Sequence, residues 1–109
     1  MYPIAAHSAL AQCNYPGFLQ YCDGCTLDRV FETQKNVSCS VTTRFDFGVK
    51  SIRVITKARN GIAEVLGNSY GYRPNKDFVG RDAFRVRVQY FVRDGSIQTT
   101  TLNVRVLVR

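Results

Sequence analysis

Asp77 and Asp82 stand close together in the stretch NKDFVGRDAF, and paired carboxylates are the raw material of general acid–base catalysis or of a hard-cation site. Both chemistries need company that the chain does not supply nearby. Its one histidine, His7, lies far upstream, and no nucleophile or second acidic cluster accompanies the pair. A structural reading accounts for the same residues better. Gly80 permits a backbone path that a side chain would obstruct, Asp82 accepts backbone N–H groups within a loop, Phe78 and Phe84 drop into a core on either side, and Tyr72 and Pro74 shape the approach. The expectation is a structural corner with no catalytic residue, no metal and no cofactor.

The second reactive group is Cys13, Cys22, Cys25 and Cys39, all within the first 39 residues. A four-thiolate zinc site usually brings two Cys-x-x-Cys pairs, and here only Cys22 and Cys25 form one. A thioredoxin-like motif would open a helix after a buried strand, whereas YCDGCTL carries a glycine inside the pair and no βαβ pattern around it. Disulfides remain the best reading, with three connectivities open for four cysteines. Ala9-Leu10-Ala11 before Gln12 resembles the small-x-small end of a secretory signal, without the basic and long apolar portions. Residues before Gln12 are therefore read as the remnant of such a signal, and the compartment as secreted or periplasmic.

A third group is the arginines of FRVRV and NVRV. If the last two strands pair, Arg85, Arg87 and Arg105 share one exposed face, a surface for an anionic ligand. The plainer account is that basic residues on a sheet face keep it soluble and discourage aggregation. Fifteen Lys and Arg against eight Asp and Glu give a net charge of +7, spread without a run of like charge. Nucleic-acid binding is disfavoured, because the aromatics alternate away from the arginines and toward the core. Tyr15, Phe18 and Tyr21, near the cysteines, are read as covering one open end of a small core rather than as a recognition loop.

Strands must position all of these groups. At 109 residues and 45% apolar the chain is one domain with an ample core, and no apolar run approaches the length of a membrane-spanning helix. Residues 1–35 lack any sustained period and read as a loop-rich segment with at most a short strand or helical turn near Leu27 to Phe31. From residue 36 the pattern changes. Strands are expected at 38–47, at 50–58 with Ile52, Val54 and Thr56 on one face, at 62–67 and 69–74 with Tyr70 and Tyr72 sharing a face, and at 83–91 and 96–109. Asn60-Gly61, Gly67-Asn68 and Asp94-Gly95 mark the turns. The fold class is all-β, an Ig-like antiparallel β-sandwich of about seven strands over 36–109 with a loop-rich, disulfide-tied N-terminal segment.

Residues 50–109 also resemble the bacterial cadherin-like and Ig-like extracellular repeats. The likeness is carried by Gly61, by Tyr72-x-Pro74-Asn75, by Phe78, by Gly80-x-Asp82-x-Phe84, and by the valine alternation of Val86, Val88, Val104 and Val106 around Gly95. The cysteine-bearing N-terminal third departs from that pattern. The resemblance implies an exported, non-enzymatic module, monomeric here, that binds a protein or cell-surface ligand or serves a structural role. The alternative is a basic domain binding an anionic polymer (polysaccharide, lipid headgroups or nucleic acid) through the exposed arginines. Calcium, which stiffens cadherin-type arrays, is disfavoured because such sites take about six or more oxygen ligands. The disulfide reading predicts an intact mass about 4 Da below the all-thiol value under non-reducing conditions, since each bridge releases two hydrogens; an unshifted mass would exclude it.

Overall fold

Apolar side chains at every second position demand extended backbone, and eight strands form among the described residues. The computed structural model describes residues 11–13 and 20–109. In chain order the strands are β1 (Ala11–Gln12), β2 (Thr26–Thr33), β3 (Cys39–Thr42), β4 (Val49–Thr56), β5 (Gly61–Leu66), β6 (Ser69–Pro74), β7 (Gly80–Phe91) and β8 (Ile97–Val108). They make two four-stranded sheets, ordered β1-β3-β6-β5 and β2-β8-β7-β4.

The spine is the antiparallel pair β7–β8, in register for twelve residues from Gly80↔Val108 to Phe91↔Ile97. Its turn follows the Asp94-Gly95 signal. Gly95 sits at φ 85°, and the Asp94 carboxylate accepts the Ser96 N–H at 2.8 Å. Phe84, Val86, Val88 and Tyr90 of β7 face inward with Leu102, Val104, Val106 and Val108 of β8, and all eight are buried. Tyr70 and Tyr72 of β6 meet them from the other sheet. Tyr70 stacks on Phe31 of β2 with ring centroids 5.7 Å apart, and Tyr72 on Phe84 at 6.2 Å, so the inner faces of the two sheets share one core. Truncating a ring in such a place costs about 3–5 kcal/mol.

The N-terminal third departs from expectation. Instead of a loop-rich segment with a short strand, β2 is a full eight-residue strand, parallel to β8 from Thr26↔Thr101 to Thr33↔Val108. The two-residue β1 likewise runs parallel to β3. The sheets are therefore not purely antiparallel, and eight strands, rather than about seven, lie among the described residues. The alternation in TLDRVFET is diluted, with Leu27, Phe31 and Thr33 facing inward but Arg29 standing between them opposite Val104. Its hydrogen-bonding partner lies at the far end of the chain, where no local pattern can announce it.

Two smaller differences have local causes. Asn60-Gly61 does not turn a hairpin, because β4 and β5 belong to different sheets and the loop between them crosses from one to the other. Gly67-Asn68 does turn one, with Gly67 at φ 59° between β5 and β6. Thr56 does not share the face of Ile52 and Val54, since the register shifts between Val54 and Thr56 and leaves Thr56 exposed opposite Arg85.

Gly71 shows how tightly β3 and β6 approach. It lies opposite Ser40, and a Cβ there would overlap the Cys39 carbonyl oxygen and crowd the Ser40 backbone. Gly71→Ala should therefore lower stability by about 1–3 kcal/mol, the usual cost of overpacking against atoms that cannot yield. An unchanged denaturation midpoint in urea would contradict this close approach.

Candidate functional site

The corner assembles around one carboxylate. Asp82 occupies an inward position near the start of β7, where the core opens toward the β4–β5 crossover. One of its oxygens accepts the backbone N–H of Arg59 at 3.0 Å and that of Ala83 at 2.8 Å. The other accepts the Asn60 N–H and the Tyr72 hydroxyl, each at 2.8 Å. A carboxylate offers about four lone-pair sites, and these four donors fill them. The Asn60 carbonyl, in turn, accepts the Asn75 N–H at 2.9 Å and lies 3.1 Å from the Tyr72 hydroxyl. Asp82 thus fastens the crossover loop to β7 of one sheet and to Tyr72 of the other.

The neighbours complete the corner. The Tyr72 ring lies against Gly61, where a Cβ would collide with it and with the Arg73 carbonyl. Pro74 ends β6 opposite Gly61. Gly80, at φ 140°, opens β7 beside the Phe78 ring, which packs half-buried against the core, and Phe84 is fully buried. Of the six corner residues of the sequence reading, Tyr72 bonds Asp82 and stacks on Phe84, Gly80 lies beside Phe78, and Pro74 pairs with Gly61. Asp77 does not join them: it turns at φ 64° and exchanges two bonds with Asn36, also at φ 64°, its N–H reaching the Asn36 amide oxygen at 2.8 Å while that amide donates back at 3.1 Å. The two carboxylates serve separate loops.

Protonation follows from these contacts. Burial by itself would raise the Asp82 pKa, but the bonds from Arg59, Tyr72, Asn60 and Ala83 together outweigh it and hold the carboxyl below the usual range. Tyr72 is pushed well above the ordinary phenol value, first by burial and then by its bond to Asp82 and that group's negative charge. It therefore stays a donor wherever Asp82 is ionised.

The arginines form a different arrangement on the outer face of the second sheet. Arg85 and Arg87 alternate outward along β7, and Arg105 on β8 lies opposite Ala83, diagonal to Arg85. Pairing adds two that the sequence reading did not single out. Arg53 of β4 stands directly opposite Arg87, and Arg81 lies diagonal to Arg105. The outward parity of Arg53, between Ile52 and Val54, was visible in the sequence; that β4 pairs with β7 was not. Among the described residues none of these five guanidiniums has a carboxylate within ion-pair distance, whereas Arg73 and Glu64 on the other sheet pair at 2.9 Å. Arg85 is fixed by its Nε–H, which donates to Asn103 Oδ1 at 2.7 Å, and Asn103 reaches Asp28 at 3.4 Å.

The cysteines form two bridges, Cys13–Cys39 and Cys22–Cys25. The first ties the residue after β1 to the start of β3, reinforced by a 3.0 Å bond from the Cys13 N–H to the Ser40 carbonyl. The second closes a turn laid against β8. There the Thr100 hydroxyl donates to the Cys22 carbonyl at 2.6 Å, and the Thr99 N–H to the Asp23 carboxylate at 2.9 Å. Gly24, at φ 76°, donates its N–H to the Thr99 carbonyl at 2.7 Å. Tyr21 sits edge-on against Phe45 and Tyr90, with centroids at 4.9 and 5.9 Å, and covers that end of the core. Tyr15, Phe18 and His7 lie outside the described residues, as does the segment before Ala11.

Compared with known proteins, the chain matches no family model and no curated sequence.

Asp82→Asn should destabilise the protein at neutral pH by about 1–2 kcal/mol, because an amide nitrogen cannot accept the N–H groups that the carboxylate holds and solvent screens part of the loss. A depressed folded-state pKa contributes stability that is present above the unfolded value of 3.8 and lost as pH falls through the folded one. The difference in melting temperature between wild type and variant should accordingly be largest near neutrality and shrink below pH 3.8. A constant difference down to about pH 2 would refute the assignment.

Proposed function

We propose that the chain is an exported, non-enzymatic module of the Ig-like, cadherin-like class that binds a protein or surface ligand and serves a structural role. One observation carries the class. The Ig pattern places its first, second, fifth and fourth strands in one sheet and its third, sixth and seventh in the other. With β2 set aside as an extra strand beside β8, the remaining strands fall in that order, β1-β3-β6-β5 facing β8-β7-β4. The sandwich arrangement, the buried Tyr72–Phe84 stack and the Gly80–Asp82 corner fit this reading.

The absence of catalysis is supported by how the carboxylates are used. Asp82 has no acceptor site left for a substrate proton, and Asp77 is engaged with Asn36. Two disulfides support an oxidising compartment, and among the described residues no helix is long and apolar enough to cross a membrane. Binding would then fall to an open sheet surface rather than to a cleft, and the outer face of β4, β7 and β8 is the one with uncompensated charge.

The strand order can be tested in solution. Cross-strand NOEs should link Arg29 with Val104 and Phe31 with Val106 in parallel register, and Ala63 with Tyr72 in the other sheet. Missing β5–β6 contacts, or a different neighbour for β6, would remove the Ig-like reading, and shortening of an oligosaccharide probe incubated with the chain would remove the non-enzymatic one.

A further inference from the structure

The outer face of the second sheet is ordered in rows that run from β4 through β7 to β8. Ser51, Gln89 and Thr99 form a neutral row whose members bond to one another at 3.1 and 3.3 Å. The next row is Arg53, Arg87 and Thr101, and the one after it Thr56, Arg85 and Asn103. Ala83 with Arg105, and Arg81 with Leu107, follow, and β2 adds Asp28, Val30 and Glu32 beside Asn103, Arg105 and Leu107. Arg53, Arg87, Arg85, Arg105 and Arg81 therefore follow one another without a break, and their length along β7, from Arg87 to Arg81, is about 20 Å at ~3.3 Å per residue.

This track is costly by itself. Like charges directly opposite on paired strands destabilise a sheet, and Arg53↔Arg87 is such a pair. Elsewhere on the same molecule charge is neutralised, as in Arg73–Glu64. Asp28 and Glu32 of β2 stand beside β8, opposite Asn103 and Leu107 and so diagonal to Arg105, while no carboxylate stands between Arg53, Arg87 and Arg85. A stretch of β4 and β7 that keeps guanidiniums together with no carboxylate between them is complementary to a line of anions.

We infer that this face binds an acidic polysaccharide, its carboxylate or sulfate groups seated on the Arg53–Arg87–Arg85–Arg105 track and its hydroxyls on the flanking Thr101, Thr56 and Asn103. Guanidinium forks grip carboxylate and sulfate through paired N–H bonds, and Arg85 is already oriented by Asn103 through only one of its five donors. The neutral hydroxyls and amides beside the arginines match a hydroxyl-rich chain. A single-stranded nucleic acid would want aromatic platforms between the basic residues, but Phe84, Val86 and Val88 alternate inward instead. A membrane surface would want large apolar groups throughout the track; here Val30 and Leu107 adjoin only its Arg105–Arg81 end, and threonines flank Arg53, Arg87 and Arg85.

The inference rests on the chain being an exported binding module, and its test separates the two. Oligogalacturonate is titrated calorimetrically into the full chain at physiological salt, with neutral dextran, duplex DNA and phosphatidylglycerol vesicles as comparisons. Oligogalacturonate should bind and dextran should not. Arg53→Gln combined with Arg87→Gln should weaken binding roughly tenfold or more, while relief of the like-charge pair keeps the melting temperature at or above wild type. Arg73→Gln, on the other sheet, should change nothing. Arg87→Lys keeps the charge but loses the fork, and should fall between the wild type and the double variant. Failure to bind oligogalacturonate, preference for DNA or vesicles, or equal weakening by Arg73→Gln would each overturn the proposal and leave the module reading standing. Cleavage of the oligogalacturonate would instead overturn the module reading itself.

Discussion

The parity of β7 and β8 governs everything else in the molecule. Side chains on a strand alternate between faces with a period of two, so placing Phe84, Val86, Val88 and Tyr90 in the core commits Arg85 and Arg87 to the outside. The same parity turns Asp82 inward, to the one place where a carboxylate can survive among buried rings because four donors converge on it. A slip of one residue would send the arginines into the core and the valines to water. Twelve paired residues on each strand make such a slip prohibitive, and core, corner and basic face are three consequences of a single register.

Asp82 solves a problem that every two-sheet protein meets where the chain leaves one sheet for the other. The backbone of a crossing loop has no ladder to satisfy its N–H groups, and leaving them unsatisfied in a half-buried place is unfavourable. Here a side chain substitutes for the missing strand. Because the same carboxylate also takes the Tyr72 hydroxyl, the sheets are joined by a directional bond as well as by apolar contact. Asn36 and Asp77 do similar work between the β2–β3 and β6–β7 turns, with two residues holding left-handed backbone conformations that asparagine and aspartate tolerate.

What could be read from the sequence is whatever is local. The strict alternation in FRVRVQYF, the Asp94-Gly95 turn, the shared face of Tyr70 and Tyr72, and the composition of the corner all express themselves within a few residues, and each has its place in the structure. Pairing across the chain left no such trace. Arg53 could be placed on an outer face but not opposite Arg87, and Asn60-Gly61 carries the signature of a hairpin although its flanking strands lie in different sheets. The β2 strand was the largest loss, because Arg29 interrupts its apolar face and its neighbour among the described residues, β8, lies about seventy residues further along. The partners of Asp82 were equally hidden, since backbone N–H groups carry no residue identity to search for.

The placement of β2 has a consequence for how the chain reaches this state. Its ladder joins Thr26–Thr33 to Thr101–Val108, among the most distant segments the molecule brings together. Such an element gains nothing until β8 is available to pair with it, so the β2 segment must wait, extended and half apolar, for a partner far along the chain. During that interval Leu27 and Phe31 have no shelter of their own. The bridge from Cys13 to Cys39 encloses this waiting segment within a covalent ring, and thereby narrows the conformations it samples before β8 pairs with it.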